Sequence, residues 1–109
     1  MWRAGRLVIE TGVHVLGMFR QRAVECLTEN SAPSQRSMDY EVNRYIGRPA
    51  QALGNKIGDI RIRELRSRAE KVLGSKVDLR AFHATVLADG AMPLDSLEAR
   101  LEAWIAARK

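Results

Sequence analysis

Few side chains in this sequence could carry acid–base, metal-binding or nucleophilic chemistry. The chain contains two histidines, His14 and His83, and one cysteine, Cys26. His14 follows Glu10 by four positions, and Glu10 follows Arg6 by four positions. Residues four apart lie on the same face of an α-helix. The spacing therefore predicts a polar stripe along one helix, which either faces solvent or lines a polar cleft of a larger protein.

The same residues argue against a metal site built from this chain alone. His14 and His83 lie far apart in the chain, and neither an HExxH nor a CxxC motif occurs. Zinc sites usually take ligands from such closely spaced pairs. The sequence thus predicts no metal ligands. We expect Cys26 to be a small buried apolar residue and His83 to be a packing or capping residue.

Apolar residues recur at helical spacing almost throughout the chain, and alternating strand patterns are hard to find. This pattern predicts an all-α protein, an irregular bundle of about six helices. We expect residues 1–109 to form a single helical segment. The predicted helices cover residues 1–16, 20–29, 35–46, 49–73, 79–88 and 93–107.

Residues near the predicted helix ends support these boundaries. Asp78 is a favourable N-cap for the fifth helix, and Ser34 is a plausible N-cap for the third. Pro49 suits the first turn of the fourth helix. The first helix is apolar on most of its circumference, so we expect it to be mostly buried in a larger body.

The fourth predicted helix carries small and polar residues where bulky apolar ones are expected. Its apolar stripe continues towards the N terminus through Gly58, Asn55, Gly54 and Gln51. Glycine inside a helix costs about 1 kcal/mol relative to alanine. Two glycines on this stripe therefore predict the close approach of another helix or of a ligand.

Composition and charge narrow the class of protein. The chain has 109 residues, 46% hydrophobic and 28% charged, with 18 basic and 13 acidic side chains. The positive charge leaves nucleic acid open as a partner, but acidic residues are interleaved with the basic ones of the fourth helix, which favours a solvated face. The single cysteine, the lack of a secretory signal and the lack of a long apolar run predict a cytoplasmic protein without membrane contact.

Three strings of this sequence carry a resemblance to a known family. They are MWRAGRLVIETGVH, EVNRYIGRPAQALGNKIGDIRIRELRSRAEKVLG and VDLRAFHATVLADGAMPLDSLEARLEAWI. Together they resemble the C-terminal end of a large bacterial family labelled as a domain of unknown function. Its members are similar to helical zinc metallopeptidases such as thimet oligopeptidase and the Taq carboxypeptidase. The resemblance extends from Met1 to about Ala107 and implies the C-terminal part of a larger helical metallopeptidase-like fold.

The resemblance also implies candidate site residues. The first family motif reads approximately WRAxRLVxDTGxH, so Glu10 takes the place of its acidic residue and His14 that of its histidine. The second reads approximately RYIxxPGQAxxYxxG, so Ala50 replaces its glycine and Asn55 its tyrosine. In helical zinc peptidases such a histidine and tyrosine would bind the scissile carbonyl or the oxyanion. This implies His14 and Asn55 as catalytic cleft candidates, and Glu10, His14, Gln51 and Asn55 as substrate-binding residues.

Other departures from the family concern a helix cap and the metal. The family tends to have a Trp-Thr pair where Met18 and Phe19 stand, so a threonine N-cap worth about 1 kcal/mol is missing. The family's zinc motif resembles HExxPGHH, followed by an EGWALY-like helix, and neither occurs in this sequence. The resemblance therefore implies zinc only for a full-length member and no cofactor for this chain.

These observations lead to two functional hypotheses. The first is a catalytically incomplete C-terminal part of a zinc-peptidase-like protein, inactive on its own, which is a truncated or remnant gene product or one half of a split protein. Its expected partner is an N-terminal zinc-bearing half or a further copy of the chain, since uncovered apolar faces favour self-association. The alternative is a small basic helical nucleic-acid-binding protein, whose binding would weaken steeply with salt.

Overall fold

The computed structural model describes residues 2–30 and 34–109, and no β-strand occurs among them. Six α-helices follow in chain order: α1 Trp2–His14, α2 Arg20–Glu29, α3 Gln35–Gly47, α4 Gly54–Leu73, α5 Leu79–Leu87 and α6 Leu94–Ala106. A short 3-10 helix, Gly74–Lys76, lies between α4 and α5. The predicted all-α class with six helices is confirmed. Within the described ranges, no helix combines the length and the apolar character needed to cross a membrane.

The chain divides into two compact units, the first of which is Met1–Ile57. In this unit α2 packs against α3, and α1 packs against both. Its core is made by the buried side chains of Ile9, Ala23, Val24, Leu27, Met38, Val42, Tyr45 and Ala52. The last two residues show that the end of α3 and the turn after it belong to this core.

The second unit, Gly58–Lys109, has a core of its own. It is made by Leu65, Ala69, Leu73, Phe82, Leu97, Leu101, Trp104 and Ile105. The rings of Phe82 and Trp104 meet edge to face, with 6.0 Å between their centroids, a favoured arrangement for aromatic pairs. Apolar side chains of α4, α5 and α6 thus share this core.

Local signals position several helix ends. The Asp78 carboxylate accepts hydrogen bonds from the backbone N–H groups of Arg80 (2.9 Å) and Ala81 (3.2 Å), as predicted for an N-cap. Gly90, with φ +72°, follows the end of α5 in a conformation that favours glycine. Ser34 occupies the N-cap position of α3, but its hydroxyl lies 3.2 Å from that of Ser37 and does not cap the helix.

The start of α4 differs from the prediction. Residues 48–53 form bends and turns, and α4 begins at Gly54 instead of Pro49. Ala50 has φ +67°, and a residue in this left-handed region cannot continue a right-handed helix. Gln51 therefore lies outside α4, so the predicted stripe from Gln51 to Gly58 is not a continuous helix face.

No helix of the described residues closely approaches Gly54 or Gly58, and the alternative, the approach of a ligand, stays a prediction. A Cβ atom added at either glycine would meet no neighbouring atom of these residues within 4 Å. Small residues are compatible with both a tight contact and an open surface, and here the surface is open. Ile57, for example, is 42% exposed.

Candidate functional site

The polar stripe of α1 faces into the first unit. Glu10 is only 2% exposed, and the His14 side chain is 27% exposed. Ile9 is also buried, whereas Val8, on another side of the helix, is 53% exposed. The solvent-facing interpretation of the stripe is therefore wrong for Glu10. Spacing along a helix shows which residues share a face, but it does not show which way the face points.

The Glu10 carboxylate links α1 to the turn before α4. Its Oε1 atom accepts a hydrogen bond from the backbone N–H of Ala50. Its Oε2 atom is buried and has no hydrogen-bond partner among the described residues. Leaving a buried charged acceptor without a donor is costly. One oxygen of Glu10 therefore fixes the turn, and no donor among the described residues meets the other.

His14 is held by the C-terminal end of α3. Its Nε2 atom lies 3.1 Å from the backbone oxygen of Tyr45 and 3.6 Å from Oε1 of Glu10. The second contact is an ion pair when the imidazole is protonated. The last turn of α1, the last turn of α3 and the turn at residues 48–53 thus meet around one imidazole and one buried carboxylate.

A second polar network lies beside this pair, around Glu41 on α3. The Tyr45 hydroxyl donates to Glu41 Oε2 (2.6 Å) and accepts from Arg6 Nε (3.1 Å), while Arg44 Nη2 donates to the same Glu41 oxygen (2.8 Å). The hydrogen bond from Arg44 lowers the pKa of Glu41 despite its partial burial. Burial raises the pKa of the Tyr45 hydroxyl, and its hydrogen bond to Glu41 acts in the same direction. The network keeps α1 and α3 together with Tyr45 neutral and Glu41 ionised.

Comparison with known proteins places this fold in a family. A family model described as "Bacterial protein of unknown function (DUF885)" matches residues 1–101. The chain belongs to the DUF885 family. No curated protein sequence matches it significantly.

A solved structure is also similar to this DUF885 chain. It is the crystal structure of the "putative lipoprotein from Colwellia psychrerythraea", with 37% sequence identity and a TM-score of 0.95. The match covers 97% of this chain and 18% of the other. The present chain therefore spans about a fifth of the length of the protein that it matches.

The structure brings together some of the predicted site residues of this DUF885 chain. Glu10 and His14 are in contact, as described. Gln51 is exposed in the turn, where its side-chain oxygen accepts a hydrogen bond from Arg44. Asn55 is exposed in the first turn of α4, and its side chain makes no hydrogen bond within the described part of the chain. The substrate-binding roles of these four residues stay predictions.

Zinc does not fit the residues of this DUF885 chain that the structure describes. Among residues 2–30 and 34–109, no group of three or more His, Cys, Asp or Glu side chains could hold a metal ion. Cys26 is half-buried beside the first core, and His83 is exposed on α5 with its ring edge-on to Phe82, 5.5 Å between centroids. Neither residue joins the polar cluster around His14.

Tyr45 and Glu41 are parts of the site that the sequence analysis did not assign. Tyr45 is only 1% exposed and contributes both its backbone oxygen and its hydroxyl. A signal for the hydroxyl contact was present, because Glu41 precedes Tyr45 by four positions and helical neighbours at this spacing touch. No side-chain pattern could have indicated the backbone contact to His14.

The four arginines of α4 are paired with carboxylates. The ion pairs are Arg61 with Glu64 and Glu98, Arg63 with Asp59, Arg66 with Glu70, and Arg68 with Glu98 and Glu102. Nucleic-acid affinity depends on uncompensated positive charge that meets phosphates. The pairing favours a solvated face. Nucleic-acid binding stays a prediction, which a salt titration of the binding would test.

Proposed function

We propose that this chain forms the C-terminal, peptide-facing helices of a zinc-peptidase-like DUF885 protein and is catalytically incomplete on its own. One observation carries the proposal: the His14 imidazole is partly exposed, yet its Nε2 atom is fixed by the backbone oxygen of Tyr45 at the end of α3 and lies 3.6 Å from Oε1 of Glu10. A group that binds a substrate needs such a fixed direction, supported by residues behind it.

A series of contacts supports His14 from inside the first unit. Ala50 donates to Glu10, Glu10 lies against His14, and Tyr45 accepts from His14. Tyr45 is itself fixed by its hydrogen bond to Glu41. The Oε2 atom of Glu10 is buried and has no partner among the described residues, which is costly unless a donor from outside these residues meets it. This arrangement favours a binding site over a purely structural ion pair.

The proposal assigns the zinc ligands to polypeptide outside this chain. The described residues contain no ligand set, so no catalytic step is assigned to the chain alone. The resemblance to helical zinc peptidases and the much greater length of the similar Colwellia protein support a division of the site between this region and another one. Asn55 stands where the family motif has a tyrosine, and its amide can donate a hydrogen bond but cannot supply a phenol.

A segment swap tests this proposal. The part of the Colwellia protein that aligns with this chain is replaced by residues 1–109, and zinc content and peptide hydrolysis are measured for this chimera and for the present chain alone. We expect both properties in the chimera and neither in the chain alone. Asn55→Tyr in the chimera is expected to raise hydrolysis further, since it restores the phenol.

Two histidine variants of the chimera give a matched comparison. His14→Ala is expected to lower hydrolysis about tenfold with unchanged zinc content, because one hydrogen bond to the substrate is lost. His83→Ala, which removes the exposed histidine of the second unit, is expected to have no effect. A folded, zinc-loaded chimera that hydrolyses no peptide, or equal effects of the two substitutions, would contradict the proposal.

A further inference from the structure

The two ring nitrogens of His14 have different surroundings. Nε2 lies 3.1 Å from the backbone oxygen of Tyr45. A carbonyl oxygen accepts hydrogen bonds and cannot donate them, so Nε2 must carry the hydrogen. In the neutral imidazole the other nitrogen, Nδ1, is then an acceptor with a free lone pair.

Nδ1 is also the nitrogen that the described residues leave without a contact. It has no hydrogen-bond partner among the described residues, and the side chain is 27% exposed. We infer that His14 meets its ligand through Nδ1, as the acceptor for an N–H group of a peptide main chain. This inference rests on the proposed function for the identity of the ligand, whereas the choice of nitrogen follows from the contacts of His14 alone.

This assignment differs from the role that the family resemblance implies. There the histidine donates a hydrogen bond to a carbonyl or an oxyanion. A neutral His14 has a single N–H, and the Tyr45 carbonyl occupies it. Donation from Nδ1 would need a second proton on the ring. The neutral ring is therefore suited to an N–H donor and not to a carbonyl.

Glu10 is a positioning residue for this orientation. Its Oε1 atom lies 3.6 Å from Nε2 of His14 and accepts from the N–H of Ala50. A carboxylate on this side of the ring favours the hydrogen on Nε2 over Nδ1. Its Oε2 atom is buried without a partner, so an amide nitrogen can take that place in Glu10→Gln while the other oxygen still accepts from Ala50.

Nuclear magnetic resonance of the full ¹⁵N-labelled chain tests the tautomer. The chain has two histidines, and His83→Gln leaves one ring to assign. We expect His14 in the Nε2–H form, with its ring proton observed directly because the Tyr45 contact slows exchange with water. The exposed ring of His83 is expected to show no such proton. An Nδ1–H form of the ring would overturn the inference.

The positioning role of Glu10 has its own readout. Glu10→Gln is expected to raise the share of the Nδ1–H form in a chain that still unfolds cooperatively. Glu25→Gln, on the exposed face of α2, is the matched control and should leave the tautomer unchanged. An unchanged tautomer in both variants would contradict the role of Glu10.

A low concentration of Cu²⁺ alone tests which nitrogen is accessible. We expect paramagnetic broadening of the His14 ring to begin at Nδ1. Broadening that begins at Nε2, or none at His14, would overturn the inference. These spectra require neither zinc nor activity. An inactive chimera combined with an accessible Nδ1 would therefore contradict the proposed function while the assignment of the ligand-facing nitrogen stands.

Discussion

The buried carboxylate of Glu10 accepts a hydrogen bond from the backbone N–H of Ala50, forty positions further along the chain. Ala50 has φ +67°, a conformation in which the Cβ atom of an L-residue is crowded. A charged side chain in α1 thus helps to hold a strained turn between α3 and α4. The corresponding position in the family motif is a glycine, which adopts this conformation without the steric cost.

Relief of this strain should be measurable. Ala50→Gly is expected to raise the free energy of unfolding by about 0.5–1 kcal/mol, because the relief of roughly 1–2 kcal/mol exceeds the cost of glycine's greater freedom in the unfolded chain. Urea denaturation measures this free energy of unfolding. Ala4→Gly, at an exposed right-handed position in α1, is expected to lower it by up to about 1 kcal/mol. A loss of stability in both variants would contradict the strained-turn interpretation.

The N-cap position of α2 lacks a capping side chain, and a substitution there should stabilise the protein. Phe19 occupies the N-cap position of α2 with φ −67° and ψ 146°, its side chain makes no capping hydrogen bond, and it is 84% exposed. Phe19→Thr is expected to stabilise the protein by about 1 kcal/mol, since a threonine hydroxyl can accept from a free N–H of the first turn. Thermal unfolding would show the gain. Phe19→Ala lacks the hydroxyl and should show none of it, so an equal gain in both variants would point to another cause.

The stability of the first unit should depend on pH through Glu41. The hydrogen bond from Arg44 lowers the pKa of this carboxyl in the folded protein. Its contribution to stability is therefore present above about pH 4.3, where the unfolded carboxyl titrates, and is lost as pH falls through the lower pKa of the folded state. Glu41→Gln should cost about 2 kcal/mol at pH 7 and flatten the fall in acid.

Urea denaturation between pH 7 and pH 3 measures this dependence. Glu25→Gln is the control, because Glu25 is exposed and pairs of exposed side chains contribute at most about 1 kcal/mol. If Glu41→Gln follows the same acid profile as the unaltered chain, the carboxyl does not contribute as described.

Exposed apolar side chains after α1 predict self-association. Val15, Leu16 and Phe19 are 75%, 78% and 84% exposed, and neighbouring apolar groups of this kind favour association. Sedimentation velocity should show a mass that increases with concentration. Leu16→Asn with Phe19→Thr should reduce the effect more than Leu87→Asn, which changes a residue of the second unit that is 74% exposed. A concentration-independent monomer would contradict the prediction.

The parts of the fold that could be predicted depend on local signals. The predicted bounds of α2 are those observed. Asp78 caps α5 as predicted, because short polar side chains act within one turn of themselves. The start of α4 could not be predicted from local signals. Pro49 is compatible with a first helical turn, but Ala50 is held in a left-handed conformation by a residue from α1, a contact across the fold that no local pattern reveals.

The candidate site could be predicted only in part for a related reason. The four-residue spacing of Glu10 and His14 correctly placed them on one face. Their inward direction depends on the turn around Ala50 and on the end of α3, which are remote in sequence. The predicted stripe through Gln51 and Asn55 assumed a helix that begins five residues too early.

The oxygen that accepts from His14 belongs to the peptide backbone of Tyr45. Every amino acid has this atom, so no point substitution at position 45 can delete it. A phenylalanine there would break the link to Glu41 and still leave the acceptor in place. The contact to His14 therefore depends on where the main chain of α3 lies and not on which side chain stands at position 45.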